Sequence, residues 1–131
     1  MKYLLTIYGD ESVWAEATPE FIQENMAAYG ALGDAMRDAG VHLGGEGLQP
    51  ASTATTVKVR DGETITTDGP FAETREQLGG YYLLECKDLD EAISWGARIP
   101  DARHGTVEVR PVMDYEAMGM PDAHAATEGA S

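Results

Sequence analysis

The stretch 67–82, TDGPFAETREQLGGYY, constrains the fold more than any other part of the chain. The Asp-Gly-Pro run that begins at Asp68 ends a strand, because glycine and proline favour tight turns over strand interiors. A charged segment follows, and Gly79-Gly80 then opens an apolar run typical of a buried strand. The stretch therefore predicts two strands joined by a turn and a charged loop, with Phe71 and Leu78 anchoring the loop to the core.

A hairpin is predicted just before this stretch. Residues 53–60 alternate between apolar and polar side chains, and residues 63–67 form a second run of the same kind. The Asp61-Gly62 pair between them is among the strongest signals for a two-residue hairpin turn. The pattern predicts two paired strands, with Ile65 facing inward.

The ends of two helices are visible in the sequence. Thr18-Pro19-Glu20 supplies a capping side chain, a proline suited to the first turn and an acid at the positive end of the helix dipole. Apolar side chains recur at helical spacing toward Ala39, and Gly40 is a typical C-terminal glycine. A capping box over 88–91 begins a second helix, which Pro100 ends.

Four further runs have the length of strands: 3–8, 41–48, 81–86 and 106–110. The resulting order predicts an α+β, ferredoxin-like β-α-β-β-α-β fold with an extra β-hairpin and an antiparallel sheet with two helices on one face. The strands at 3–8 and 81–86 are apolar on both faces. We therefore expect a homodimer in which the helix-free sheet faces pack together.

Composition limits the partners. The chain has 9 Lys and Arg residues against 23 Asp and Glu residues, a net charge of −14. Phosphates and anionic lipids are bound mainly by Lys and Arg, so neither nucleic acid nor a membrane surface is expected as a partner. Cys86 is the only cysteine, and neither a secretory signal nor a membrane span is expected from the short apolar runs, so a cytoplasmic location is expected.

One domain is expected over residues 1–113. Residues 114–131 are Met, Ala, Gly and acidic residues without periodicity, which predicts a mobile or partner-packed C-terminal tail.

Five motifs together point to a known family. They are KYLLTIYG at 2–9, GGEGLQP at 44–50, DGPFAET at 68–74, QLGGYY at 77–82 and VEVRP at 107–111. With them the chain resembles the YCII-related proteins, in the subgroup named for its DGPF motif. The resemblance implies a dimeric α+β barrel built from ferredoxin-like halves. Members of this family often lie beside genes for extracytoplasmic-function sigma factors, and the family has no established reaction.

Better-studied relatives in this family carry a proposed His–Asp pair in a cleft. The resemblance matches the aspartate of that pair to Asp68, and it matches the histidine to a position where this chain has Tyr29. Asp68 is the first candidate for a catalytic residue, although its carboxylate would also suit a structural role as a turn cap. His42, at the start of a strand, is the second candidate for acid–base work or a packed strand residue.

Candidate ligand-binding residues come from the charged loop and from the tyrosines. Glu73 and Arg75 either form a solvated ion pair or present Arg75 to an anionic group. Tyr8, Tyr29 and Tyr81 either line a pocket or belong to the core or an interface. The sequence contains no phosphate loop, dinucleotide fingerprint or metal-binding spacing, so no cofactor and no metal are expected.

Two classes of function remain. The first is a small-molecule cleft near Asp68 with weak acid–base activity, toward which Asp10 and Glu11 would also point from a strand end. The alternative is a non-catalytic regulatory or adaptor dimer linked to an extracytoplasmic-function sigma factor, whose acidic surface would engage a basic partner. The motif residues cluster at strand ends and turns, where sites form, which favours the first class.

Overall fold

The computed structural model of the chain describes residues 1–121. The strands are β1 (Lys2–Gly9), β2 (His42–Gly47), β3 (Thr55–Arg60), β4 (Glu63–Asp68), β5 (Gln77–Glu85) and β6 (Thr106–Pro111). The helices are α1 (Glu11–Ala15), α2 (Pro19–Asp38) and α3 (Leu89–Ala97), with short 3₁₀ turns at Ala51–Thr53 and Pro100–Arg103. The expected α+β class is confirmed. None of the helices in this part of the chain is long and apolar enough to cross a membrane.

Four strands form an antiparallel sheet in the order β2-β5-β1-β6. Its central strand β1 buries Tyr3, Leu5 and Ile7, while the residues between them are only half-buried. The buried side chains of β1 pack with residues from both long helices, chiefly Leu32 and Met36 of α2 and Ala92 and Trp95 of α3. One face of the sheet therefore holds the core.

The helix ends form as the local chemistry dictates. The Thr18 side chain accepts a hydrogen bond from the Phe21 amide at 3.1 Å, and Gly40 follows the helix with φ of 73°. At α3, Asp88 accepts from the Glu91 amide at 2.9 Å, and the Glu91 carboxylate accepts from the Lys87 amide. In a capping box the Glu91 carboxylate would accept from the Asp88 amide. Here it accepts from the amide of the preceding residue, Lys87.

The hairpin β3–β4 forms a separate two-stranded sheet. Asp61 and Gly62 have φ of 52° and 78°, the left-handed values that a two-residue hairpin turn requires. The expectation that Ile65 faces inward is wrong for the single chain, since this residue is 45% exposed. The physical reason is that the hairpin stands apart from the four-stranded sheet, so no core lies beneath either of its faces.

The loop after the hairpin also differs from expectation. Phe71 is 88% exposed and Leu78 is exposed as well, so neither anchors the loop to the core within one chain. Both residues are apolar, but a sequence does not show which surface covers an apolar side chain.

The sequence pattern does not predict the short helix α1. Asp10 caps it by accepting hydrogen bonds from the Ser12 amide at 2.9 Å and the Ser12 hydroxyl at 2.7 Å. These bonds, the hydroxyl first, lower the pKa of Asp10. Five residues are too few to show helical periodicity, which is why the pattern missed this helix.

Part of the predicted tail is described. Within 114–121 the chain forms hydrogen-bonded turns, including one from the Ala117 amide to the Asp114 carboxylate at 3.1 Å. Residues 122–131, the rest of the predicted mobile or partner-packed tail, lie outside the described part.

Candidate functional site

A cleft of about 910 Å³ lies between the N-terminal half of α2 and one end of the sheet. Its walls come from the end of β1, from α1 and α2, from β2 and its following loop, from the start of β5, and from Asp101. This volume lies within the range of small-molecule pockets, roughly 300–1,000 Å³.

Two glycines form part of the cleft wall without side chains. A Cβ atom at Gly45 would lie 2.7 Å from the Tyr81 carbonyl oxygen, and one at Gly80 would lie 2.9 Å from the Glu46 carbonyl oxygen. Both distances are shorter than atoms tolerate, so these positions require glycine. The close pairing of β2 with β5 thereby leaves open space above the sheet, where α2 would otherwise meet larger side chains.

Tyr29 and Asp101 form the main polar contact of the cleft. The Tyr29 hydroxyl donates a hydrogen bond to Asp101 Oδ2 at 2.8 Å. Burial, and then the neighbouring Asp101 carboxylate, raise the pKa of Tyr29 far above its ordinary value. The phenol therefore stays protonated, and its hydroxyl hydrogen is used in the hydrogen bond to Asp101.

Asp101 is held in place by the turn that carries it. The Gly105 amide donates to the Asp101 carbonyl oxygen at 2.7 Å, and the Ala102 amide donates to the Ile99 carbonyl oxygen at 3.0 Å. Its side chain is only 14% exposed. A carboxylate this enclosed needs partners, because burying an uncompensated charge is costly.

His104 is the second neighbour of Asp101. Its Nε2 lies 3.2 Å from Asp101 Oδ1, close enough for a charge contact. The two atoms are not aligned as a hydrogen bond, so Oδ1 remains a buried acceptor without one. A poorly aligned pair at this distance makes no hydrogen bond, because hydrogen bonds weaken steeply as the angle closes. Phe21 packs between the rings of His104 and Trp14, with centroids 6.1 and 5.7 Å away.

Asn25 is a buried polar residue on α2 that also lines the cleft. It is 8% exposed, and its side-chain amide makes no hydrogen bond with any group in residues 1–121. Asp101 Oδ1 is the fully enclosed side-chain polar atom without a hydrogen bond in residues 1–121, so the Asn25 amide atoms keep some contact with the open cleft, where a ligand or water can pair them. Glu11 lies nearby on α1, where its carboxylate accepts from the Ala51 amide at 2.8 Å.

A family model for the YCII-related domain matches residues 1–116. The chain belongs to the YCII-related family. An uncharacterised protein of Rhizobium meliloti (strain 1021) is 36% identical over 133 aligned residues, which cover 92% of this chain and 99% of that relative. The YCII-related match therefore includes every strand and helix described above and both partners of the Tyr29–Asp101 contact.

The cleft brings together two of the predicted site residues of this YCII-related chain, Tyr29 and Tyr81. Tyr81 pairs with Thr6, on the sheet face opposite the core, so strand alternation places its side chain away from α2. Tyr8 belongs to that same face of β1. His42 packs against the Tyr82 ring, with centroids 6.1 Å apart, but does not line the cleft.

The remaining predicted residues lie outside the cleft. Asp68 is exposed at the end of β4, and no hydrogen bond found in residues 1–121 ends on its carboxylate. The Arg75 side chain is 91% exposed and lies 3.6 Å from Asp10 Oδ2. Among the described residues, this contact replaces the ion pair expected with Glu73, which is exposed. The roles expected of these residues stay predictions.

Two residues of the cleft, Asp101 and Asn25, were not predicted from the sequence. Asp101 and Tyr29 are 72 residues apart, and nothing in a single sequence connects them. Asn25 did leave a signal, because it stands between Ile22 and Tyr29 on the apolar stripe of α2. A polar residue on a buried stripe indicates either a buried hydrogen bond or a site.

Proposed function

We propose that this YCII-related protein binds a small molecule in the cleft between α2 and the sheet, with the Tyr29–Asp101 pair as its polar anchor. The observation that carries the proposal is the side-chain amide of Asn25, a residue only 8% exposed, which faces the same cleft without a hydrogen-bond partner in the described chain. A ligand that reaches both groups would satisfy the amide and would be held at two points.

The chemistry available there is proton transfer. Asp101 is a carboxylate in an enclosed site, Tyr29 is a protonated phenol bonded to it, and the His104 imidazole lies on its other side. A carboxylate within hydrogen-bond reach of a ligand can act as a general base, and the Tyr29 phenol bonded to Asp101 holds that carboxylate in place. We propose weak acid–base activity on this basis. Asp68 and His42 do not line this cleft, and a catalytic role for them remains a prediction for another part of the protein.

We also propose that the chain has the ferredoxin-like arrangement and pairs through the helix-free face of its sheet into a dimeric α+β barrel. The half-buried Leu4 and Tyr8 on that face of β1 support the pairing, because a monomer would leave them against water. The DGPF sequence at 68–71 supports assignment to the subgroup of that name. A cytoplasmic location, without nucleic acid or membrane partners, belongs to the same proposal.

A second candidate function is a regulatory or adaptor dimer that engages a basic partner such as a sigma factor. The exposed hairpin favours it, since Val57 and Val59 point into solvent on one of its faces. Such a surface fits protein contacts better than it fits a small ligand.

The experiment that tests the small-molecule proposal is a fragment screen against the ¹⁵N-labelled protein, read by amide chemical shifts. We expect shifts to concentrate on Asn25, Gly45 and Gly80, which border the cleft. Shifts confined to Gly69 and its neighbours would locate the site at the DGPF turn instead. An absence of any fragment response at the cleft would contradict the proposal.

A further inference from the structure

We propose that the cleft selects ligands that donate hydrogen bonds, and in particular an ammonium group attached to an apolar or aromatic body. This inference rests on the proposed function and adds the chemical class of the ligand.

The first support is the direction of the Tyr29–Asp101 hydrogen bond. Tyr29 gives its only hydroxyl proton to Asp101 Oδ2, so the phenol oxygen has only a lone pair left for a ligand. A carboxylate likewise only accepts hydrogen bonds. This part of the cleft wall therefore offers acceptors, and a matching ligand must bring donors.

The second support is the charge of the wall. Three acidic residues, Glu11, Glu46 and Asp101, line the cleft, and no Lys or Arg does among residues 1–121. Glu46 pairs with Tyr81 on the sheet face away from α2, so Glu11 and Asp101 supply the carboxylates. Arg75, the residue expected to hold an anion, contacts Asp10 and stays outside. An anionic ligand would meet two carboxylates without a compensating cation on the wall, whereas an ammonium group would be attracted by both.

The third support is the apolar part of the wall. Ile7, Trp14, Met26 and Leu48 line the cleft together with the polar groups. They provide surface for a hydrocarbon or aromatic body, and an indole beside two carboxylates also suits a cation. The acidic residues do not carry the inference alone, since the unpartnered Asn25 amide independently indicates that a polar ligand enters here.

The test compares three probes of nearly equal size: 2-phenylethylamine, 2-phenylethanol and 3-phenylpropanoate. Each is titrated into the ¹⁵N-labelled protein at pH 7, and Kd is taken from the shifts of the cleft amides. We expect the amine to bind at least about tenfold more tightly than the carboxylate, with the alcohol between them.

The variant Asp101→Asn keeps an acceptor for the Tyr29 hydroxyl but removes the charge. We expect it to reduce the preference for the amine over the alcohol, with the Glu11 carboxylate retaining part of that preference. Glu24→Gln removes one charge from an exposed position of α2 that does not line the cleft, and it should keep the preference for the amine. If Asp101→Asn does not fold, Glu11→Gln provides the same comparison and should reduce the preference.

The outcomes separate the two proposals. Equal or tighter binding of the carboxylate, or an unchanged preference in the Asp101→Asn or Glu11→Gln protein, overturns the ligand class but leaves a small-molecule cleft. If none of the three probes shifts the cleft amides, the proposed function fails and the ligand class fails with it.

Discussion

The Tyr29 hydroxyl lies 2.8 Å from Asp101 Oδ2 and donates a hydrogen bond to it, which connects the middle of α2 to the turn before β6. This single contact joins two segments that are 72 residues apart. It fixes one wall of the cleft, and it decides which polar atoms remain for a ligand.

The substitution Tyr29→Phe is expected to destabilise the protein. It leaves Asp101 Oδ2 enclosed without its donor, which costs about 1–3 kcal/mol in free energy of unfolding. Urea denaturation followed by circular dichroism measures the change. Tyr81→Phe is the matched control, because no hydrogen bond is found for the Tyr81 hydroxyl in the described chain, and its cost should stay below about 0.5 kcal/mol. Equal costs for the two variants would show that the Tyr29–Asp101 bond does not support the fold.

Stability is expected to fall at high pH through Tyr29. The folded-state pKa of Tyr29 is raised, first by burial and then by Asp101, while an unfolded tyrosine ionises near 10. The contribution is therefore fully present below about pH 10 and is lost as the pH rises further. The free energy of unfolding, measured between about pH 9 and 11, should fall more steeply for the wild type than for Tyr29→Phe. Parallel curves would contradict the expectation.

Asn25→Leu is expected to separate stability from binding. The leucine side chain has a similar size and replaces an amide that makes no hydrogen bond within the described chain, so the free energy of unfolding should change by less than about 1 kcal/mol. Binding in the cleft should weaken. Urea denaturation and the probe titrations measure the two effects, with the exposed Gln23→Leu as control. A clear loss of stability in Asn25→Leu alone would show that the amide has a structural partner.

The proposed dimer has its own test. Light scattering after size exclusion should give about twice the 14.1 kDa of one chain. Leu4→Glu places a charge on the helix-free face of β1 and should shift the protein toward the monomer. Ile93→Glu makes a comparable change at an exposed position of α3 and should leave the dimer intact. A wild-type species of one chain's mass at micromolar concentration would contradict the pairing.

Local chemistry made several elements predictable from sequence. The Thr18 cap, the Gly40 terminus and the Asp61-Gly62 turn each depend on residues next to one another, so their consequences appear in a short window. The strand runs were equally clear, because alternation and apolar runs report burial directly.

The site was less predictable because its contacts are distant or depend on unseen surfaces. The apolar character of Phe71 did not reveal that it is exposed in one chain. Arg75 contacts Asp10, whereas the expected partner was the neighbouring Glu73. Asp101 takes its role from folding, which brings α2 beside the turn at Pro100–Arg103. A sequence feature that did indicate the cleft was Asn25, a polar residue on the apolar stripe of α2.

The most direct test of the proposed site is the Kd of 2-phenylethylamine for two variants, Asp101→Asn and Asp68→Asn, measured by calorimetry against the wild type. Removing the Asp101 charge should weaken binding about tenfold or more, because a charged hydrogen bond contributes about 1.5–3 kcal/mol. Asp68→Asn should leave the Kd within about twofold, since Asp68 is exposed and does not line the cleft, and such surface substitutions change free energies by less than about 0.5 kcal/mol. Weakened binding in Asp68→Asn with no change in Asp101→Asn would contradict the proposed site and move it to the DGPF turn.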